Sequence, residues 1–496
     1  MSETKLYQIN PGDNVAVALE PLKEKTEAEI AGKMILLRSD VAAGHKVAVR
    51  PIEKGGAVVK YGFPIGEATE RIAAGDWVHT HNMKTRLGDL LEYTYEPDFR
   101  PLPLQTPQTF EGYRRKDGKV GIRNEVWIIP TVGCVNAVAK QIERESQKFL
   151  TPALDGIYAY SHPYGCSQLS QDLLNTQLLL CGLIRHPNAG AVLALGLGCE
   201  NNGIGEMKKV LGPYDPERVA FLNCQDEEDE AAAGVAAVER LCGYAGGFRR
   251  ETCPAGELTV GLKCGGSDGF SGITANPLVG AFSDRLIAQG GTTILTEVPE
   301  MFGAETILMN RCENREVFRK TVDLINNFKK YFMSYHQQID SNPSPGNKAG
   351  GITTLEDKSL GCIQKGGTAP VSDVLLYGRP AVRKGLNLLQ GPGNDLVAAT
   401  ALAASGAQLV LFTTGRGTPF AGPVPTIKIA SNSALARRKN GWIDFDAGRL
   451  LRGNDLGGLS EEFFNGVLEL ASGKRKAKSE SLEKQELAIF KDGVTL

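Results

Sequence analysis

The sequence predicts an α/β protein: a small N-terminal β domain followed by a two-part α/β body with mainly parallel sheets. Three features lead there. At 496 residues the chain exceeds what one hydrophobic core organises, so two or three domains are expected. Residues 1–95 carry short runs of alternating polarity separated by turn residues, the pattern of a compact β domain. From residue 111 onward, continuous apolar runs alternate with helical stretches, the pattern of a parallel sheet covered on both faces.

Taken in order, Lys46-Val47-Ala48-Val49-Arg50 and Ala57-Val58-Val59-Lys60-Tyr61 read as strands, with Glu53-Lys54-Gly55-Gly56 as the turn between them. Residues 96–110 hold Pro97, Pro101, Pro103 and Pro107, which stiffen the chain into a linker. A first α/β unit spans 111–255, with apolar strands at 126–129, 156–160, 191–195 and 219–222. A second spans 256–496, with strands at 258–262, 292–295, 386–389 and 409–412. Its charged tail, 473–484, reads as a solvated helix or loose segment.

Composition narrows the function. A 42% apolar and 23% charged make-up is globular, and no apolar run approaches the length of a membrane span. The formal charge of −2 gives no reason to expect nucleic acid or an anionic membrane as partner. An anionic ligand must be held by local groups instead. The start, Met1-Ser2-Glu3-Thr4-Lys5, lacks a secretory leader pattern, so a cytoplasmic location is expected. There the ten cysteines should be thiols, free for metal, catalytic or packing roles. A homo-oligomer is compatible with all of this.

In open α/β sheets, ligands bind beyond the carboxyl ends of the strands. The loops expected there carry Cys134, His162, Cys166, Cys199, Glu200, Asn201, Cys264, Ser267, Asp268, Glu297 and Arg416, interleaved with glycine. Glycine lets the backbone approach a ligand, and exposed N–H groups favour an anion. The common fingerprints fail: Gly196-Leu197-Gly198 leads to Asn201 where a dinucleotide loop needs a sixth-position glycine. Gly265-Gly266-Ser267-Asp268-Gly269 matches a serine nucleophile elbow in letters, but His336 is the sole later histidine and lies in a polar context. A lone thiol at a strand end is usually packing; four at four ends suggest metal or iron–sulfur ligation by Cys134, Cys166, Cys199 and Cys264. His79 and His81, two apart on an expected strand, share a face, which suits a metal or a polar rim. His186 and His336 read as solvated.

With those loops in view, the chain resembles the altronate and galactarate dehydratase family. The resemblance runs nearly end to end. It rests on Asp13-Asn14-Val15-Ala16-Val17-Ala18, Gly44-His45-Lys46-Val47, Tyr164-Gly165-Cys166, Gly196-Leu197-Gly198-Cys199-Glu200 and Cys264-Gly265-Gly266-Ser267-Asp268. Asn342-Pro343-Ser344-Pro345-Gly346-Asn347-Lys348 and Thr414-Gly415-Arg416-Gly417-Thr418-Pro419 extend it. It implies an SAF-type (β-clip) N-terminal domain and a hydro-lyase activated by Fe(II) or Mn(II). Val78-His79-Thr80-His81-Asn82 is similar to the altronate-acting branch, which implies D-altronate as substrate and 2-dehydro-3-deoxy-D-gluconate as product.

Such a reaction takes a proton from C2 and expels the C3 hydroxyl, so it needs a cation, a base, an acid and a carboxylate clamp. On this reading Arg416, with Lys348 and Lys263, clamps the carboxylate, and Ser267 and Asn201 contact substrate. His162 is the candidate C2 base. Glu200 and Asp268 are acid, base or helix caps, and Lys263 is also a candidate catalytic group.

Overall fold

The computed structural model describes residues 5–88, 90–482 and 487–496. Among these residues the N-terminal domain is a set of small antiparallel sheets. One holds Leu6–Tyr7, Val15–Ala18, Lys46–Ala48 and Trp77–Val78; another holds Ala57–Lys60, Phe63–Ala68 and Met83–Lys84. Alternation of buried and exposed residues along Glu27–Ile30 shows why such short runs pair as ribbons.

The domain is locked to the body by charge. Lys46 and Lys60, both fully buried, converge on Asp357 of the helix Leu355–Cys362, at 2.8 Å and 3.0 Å. Lys46 also donates to the Gly351 carbonyl and the Thr353 hydroxyl, both at 2.7 Å. Two lysines share one carboxylate, so burial and Lys60 bring Lys46 down to about 8, whereas at Lys60 the opposing effect of burial is outweighed by Asp357. Proline-rich residues 96–110 are strapped to the second unit: Asp98 N–H donates to the Asn310 carbonyl and Gln105 N–H to that of Ala288, both at 2.8 Å.

The first α/β sheet is parallel, in the order Gly156–Ala159, Glu125–Pro130, Ala189–Gly196, Val219–Asn223. The second is a seven-stranded parallel sheet: Val371–Leu375, Gly385–Leu389, Thr292–Leu295, Thr259–Cys264, Leu409–Thr414, Thr426–Ala430, Phe445–Asp446. All eight strands expected from apolar runs are present. The fold is therefore the α/β arrangement anticipated. Three further strands of the second sheet were not anticipated: Ser372 and Asp373 interrupt the apolar character of one, Lys428 that of another, and Phe445–Asp446 is only two residues long. A small antiparallel sheet joins Thr109–Arg114 to Glu251–Pro254 and Val120–Gly121.

The two sheets face the same way. Helix Ser170–Ile184 packs on helix Asp395–Ala404, and Gly182 near the end of the first meets the backbone of Ala404 at the end of the second. At the same end, just before the strands Ala189–Gly196 and Leu409–Thr414 begin, His186 Nε2 and Asn188 Nδ2 pair with the carbonyls of Ala407 and Gln408 at 3.0 and 2.8 Å. Carboxyl edges of both sheets thus open on one side of the body.

The tail corrects one expectation. Ala477 and Ser479 are buried, and Glu480 receives Arg123 at 2.8 and 2.9 Å. Beyond it Leu487 and Ile489 are buried and Thr495 bridges to Gln168. Apolar residues at the end of the chain dock what its charges suggested was free; Lys484 lies outside the described residues.

Asp357→Asn should cost about 3–5 kcal/mol, since it leaves two buried ammonium groups facing a neutral amide. Thermal unfolding would register this, together with faster proteolysis near residues 97–107. An unchanged melting curve would mean that apolar packing, rather than this charge triad, holds the β domain.

Candidate functional site

In each sheet the strand order reverses around one strand, and the loops at that switch point carry the unusual residues. In the first sheet the strand is Glu125–Pro130, between Gly156–Ala159 and Ala189–Gly196. The loops leaving these three adjacent strands carry Cys134, Cys166 and Cys199, all exposed. They are tied to one another. Gly133 N–H donates to the Tyr164 carbonyl at 2.8 Å, Asn202 N–H to the Gly165 carbonyl at 3.0 Å, and Ser167 N–H to Asn201 Oδ1 at 3.0 Å. Gly165 sits at φ 100°, so close to Thr131 that a side chain there would overlap its carbonyl. The outer strand Val219–Asn223 is also followed by a thiol, Cys224, but that one is half-buried against the core and burial pushes it up to about 11.

The polar groups of this edge hold the loops. His162 is buried; its Nε2 meets the Pro130 carbonyl at 2.7 Å and its Nδ1 accepts the Tyr164 N–H at 3.2 Å. Burial lowers it to about 4, so it is a neutral ring with both nitrogens engaged. That corrects its reading as the C2 base. Glu200 accepts Thr131 Oγ1 at 2.7 Å, Leu197 N–H at 3.1 Å and Gly198 N–H at 2.7 Å. Partial burial opposes its charge, but these donors outweigh burial and hold the carboxyl below its ordinary value. It is a cap for the Cys199 loop.

In the second sheet the switch lies at Thr259–Cys264. Lys263 is fully buried, with its ammonium on the Cys264 carbonyl at 2.7 Å, on Glu297, on the Gly393 carbonyl at 3.1 Å and on Asp395 at 3.0 Å. Burial opposes its charge, but Glu297 and Asp395 raise its pKa, so it cannot reach a substrate or act as a base. Asp268 is equally engaged: Oδ1 accepts Ser271 N–H at 3.0 Å and Ser431 Oγ at 2.8 Å, and Oδ2 accepts Asn432 at 3.1 Å. Lys263 is thus framework, contrary to its reading as a clamp or catalytic group, whereas Asp268 follows the capping alternative, its Oδ1 accepting the Phe270 and Ser271 N–H groups.

Beside them Arg416 is exposed and reaches the Gly346 carbonyl at 3.3 Å, on the short helix Pro345–Ala349 that carries exposed Lys348. Asn347 of that helix donates to the Ser267 carbonyl at 2.9 Å, and the Ser267 hydroxyl is buried with no partner among the described residues. Arg416, Lys348 and Ser267 therefore lie on contiguous loops; Asn201 belongs to the thiol edge.

The histidine pair departs from expectation. Residues 79–82 form a turn, because the strand stops at Val78. His79 is buried, its Nε2 on the Lys348 carbonyl at 2.9 Å and its Nδ1 accepting Thr80 N–H at 2.8 Å, while His81 is exposed against Trp77. With both His79 nitrogens committed, the two rings do not form a joint metal site. Cys264 departs as well: it is buried on the second sheet, 3.4 Å from Cys362, apart from the three exposed thiols.

A family model described as the altronate/galactarate dehydratase SAF domain matches residues 4–86. The second domain of D-galactarate dehydratase/altronate hydrolase matches 112–246, and the D-galactarate/altronate dehydratase C-terminal domain matches 255–495. The chain is 54% identical to altronate dehydratase of Escherichia coli over 99% of each chain, and 53% identical to that of Bacillus subtilis, again over 99% of each. The chain belongs to the altronate/galactarate dehydratase family. Another family member, galactarate dehydratase (L-threo-forming) of Escherichia coli, is 33% identical over 97% of this chain and 96% of its own.

Family membership leaves one group that motif reading passed over: Glu300, Lys358, Cys362, Lys365 and Asp395, which surround Lys263 and Glu297. Every residue of Leu355–Cys362 is buried, so its sequence has no amphipathic period to betray it. The Glu297-Val298-Pro299-Glu300 string after a strand was the available signal.

The buried rings set a pH dependence. His79, His162 and His186 stand at about 4, 4 and 3, below the ordinary 6.5, through burial. Their neutral forms stabilise the fold fully above pH 6.5, and that stability is lost as pH falls toward 4. Each residue should contribute about 1.4 kcal/mol of loss per pH unit well inside that window. Urea midpoints from pH 7.5 to 4.5 should fall accordingly; a flat series would show that the rings are protonated in the native protein.

Proposed function

We propose that the chain is a hydro-lyase that dehydrates D-altronate to 2-dehydro-3-deoxy-D-gluconate, with Fe(II) as activating metal and Mn(II) as a substitute. The observation that carries the reading is the near full-length identity of 54% and 53% to two altronate dehydratases. The site's chemistry agrees. Arg416 offers a planar fork and Lys348 a mobile ammonium to an anionic carboxylate, beside loops rich in backbone N–H groups. The two carboxyl edges open on the same side, so a sugar acid held by the clamp can extend toward the thiol edge.

The donor set there fits iron. Cys134, Cys166 and Cys199 are exposed, lie on cross-tied loops of adjacent strands, and are soft ligands that favour iron over an oxygen-seeking ion. Their sulfurs do not converge within 4.8 Å of one another, so they would hold an iron–sulfur cluster more readily than one bare ion, and such a metal centre would supply a Lewis acid for the charge that develops next to the carboxylate. Glu200, His162 and Asn201 fix the loops that present the thiols. His162 has both ring nitrogens committed, to the Pro130 carbonyl and the Tyr164 N–H, and Lys263 is sealed among carboxylates, so proton transfer is assigned to neither.

Protein purified anaerobically and supplied with Fe(II) should form the 2-keto-3-deoxy acid from D-altronate. Turnover of D-galactarate in its place would overturn the substrate assignment. Serine replacements at Cys134, Cys166 and Cys199 should each reduce iron per chain and any visible absorption; unchanged iron in all three would make them surface thiols only. Arg416→Lys keeps the charge and loses the fork, and should weaken substrate binding by about 1.5–3 kcal/mol, read as a raised KM. Unaltered kinetics would place Arg416 outside the site.

A further inference from the structure

Beneath the second switch point lies a group that the proposed reaction does not use. Cys264 ends the central strand of the seven-stranded sheet, and Cys362 ends the helix Leu355–Cys362. Their sulfurs are 3.4 Å apart, and each lies 2.9 Å from Glu300 Oε2. All three residues are buried. We propose that Cys264, Cys362 and Glu300 bind a soft divalent cation of the zinc class, at a site separate from the thiol edge of the first sheet.

Donor chemistry favours a cation over a simple packing contact. Two thiols and one carboxylate oxygen converge within 4.8 Å of one another. The other oxygen of Glu300, Oε1, is held by Lys358 at 2.7 Å, which fixes the carboxylate and leaves Oε2 directed at the sulfurs. Metal-binding carboxylates are commonly oriented by such an outer hydrogen bond. Glu297 Oε1, which also receives the Lys263 ammonium, is the next nearest oxygen, 4.0 Å from Cys264 Sγ, and Glu297 keeps a left-handed backbone at φ 71°, a strained conformation for a residue with a side chain.

Charge also balances. Lys263, Lys358 and Lys365 face Glu297, Glu300 and Asp395, three cations against three anions while both thiols keep their protons. A divalent ion that displaces both thiol protons leaves that sum unchanged, so binding introduces no net buried charge. Metal–sulfur and metal–oxygen lengths of about 2.3 and 2.0 Å place tetrahedral ligands about 3.5–3.8 Å apart. The observed 2.9–3.4 Å therefore needs an opening of about half an ångström, within side-chain adjustment. The bound ion would pin the sheet to the helix that presents Asp357 to the β domain.

The test measures zinc and iron together in the full-length protein by mass spectrometry, with cobalt(II) substitution as a spectral probe. Wild type should hold about one zinc per chain at this site, and its cobalt form should show thiolate-to-metal charge-transfer absorption. Cys362→Ser should abolish the zinc and that absorption while leaving iron at the other edge unchanged. Glu300→Gln, which keeps the shape, should weaken zinc retention by about tenfold or more against a chelator. Circular dichroism of each variant checks that the fold survives. A variant that fails to fold is replaced in the test by wild-type protein titrated with chelator, where zinc release should free two thiols to a thiol reagent. Zinc absent from folded wild type, zinc unchanged in Cys362→Ser, or a Cys264–Cys362 disulfide in its place would overturn the site. Loss of iron at Cys134, Cys166 or Cys199 variants bears on the other edge alone, so the two readings fail separately.

Discussion

The buried triad of Lys46, Asp357 and Lys60 fixes where everything else at the second edge can lie. A carboxylate sealed from water by two lysines is costly to assemble and costly to break, so it behaves as a latch rather than a general adhesive. With it closed, His45 and His79 reach the carbonyls of Ala349 and Lys348 at 3.2 and 2.9 Å and seat the β domain on residues 344–351. Those residues in turn carry Lys348 and support Arg416 through the Gly346 carbonyl. The β domain therefore braces the segment that carries Lys348 and supports Arg416 through backbone contacts, a task that neutral, fully bonded histidines can serve.

Parallel sheets supply the other half of the design. Reversal of strand order opens a crevice at the carboxyl edge, and both sheets place their thiols there. The outcomes differ because of cover. On the first sheet the loops leave Cys134, Cys166 and Cys199 in solvent, while the helix Leu355–Cys362 closes over Cys264 on the second. Similar strand-end positions thus give an accessible set of thiols in one unit and a sealed group amid compensated charges in the other.

Much of the architecture was legible because buried parallel strands read as unbroken apolar runs. Ala189–Gly196 and Leu409–Thr414 are buried at every position. Edge strands such as Phe445–Asp446 carry no such signature. The site was legible in residue type more than in role. Loop positions of Cys134, Cys166, Cys199 and Arg416 follow from strand–turn patterning, whereas His162, Glu200, Asp268 and Lys263 look reactive on paper and become fixed once their hydrogen bonds are counted. His186 shows the same limit: the Pro187 beside it suggested the surface, yet it is buried, 5.1 Å from and stacked on Trp127 at the junction of the two sheets.

That reversal has a general cause. A loop that must hold an exposed thiol or arginine still has to satisfy its own backbone N–H and carbonyl groups. Short polar side chains nearby are the means, so the residues most conspicuous in a glycine-rich loop are often consumed in shaping it. Glu200 illustrates this directly, since it holds two successive N–H groups and the Thr131 hydroxyl one residue beyond Cys199. Substituting it by alanine would leave those donors unpaired, at a cost of about 1–3 kcal/mol for each buried group, and would disorder the thiol loop before any chemistry is reached. Around Arg416, Lys348 and the thiols of Cys134, Cys166 and Cys199, all exposed, the neighbouring polar side chains are thus spent on holding the backbone.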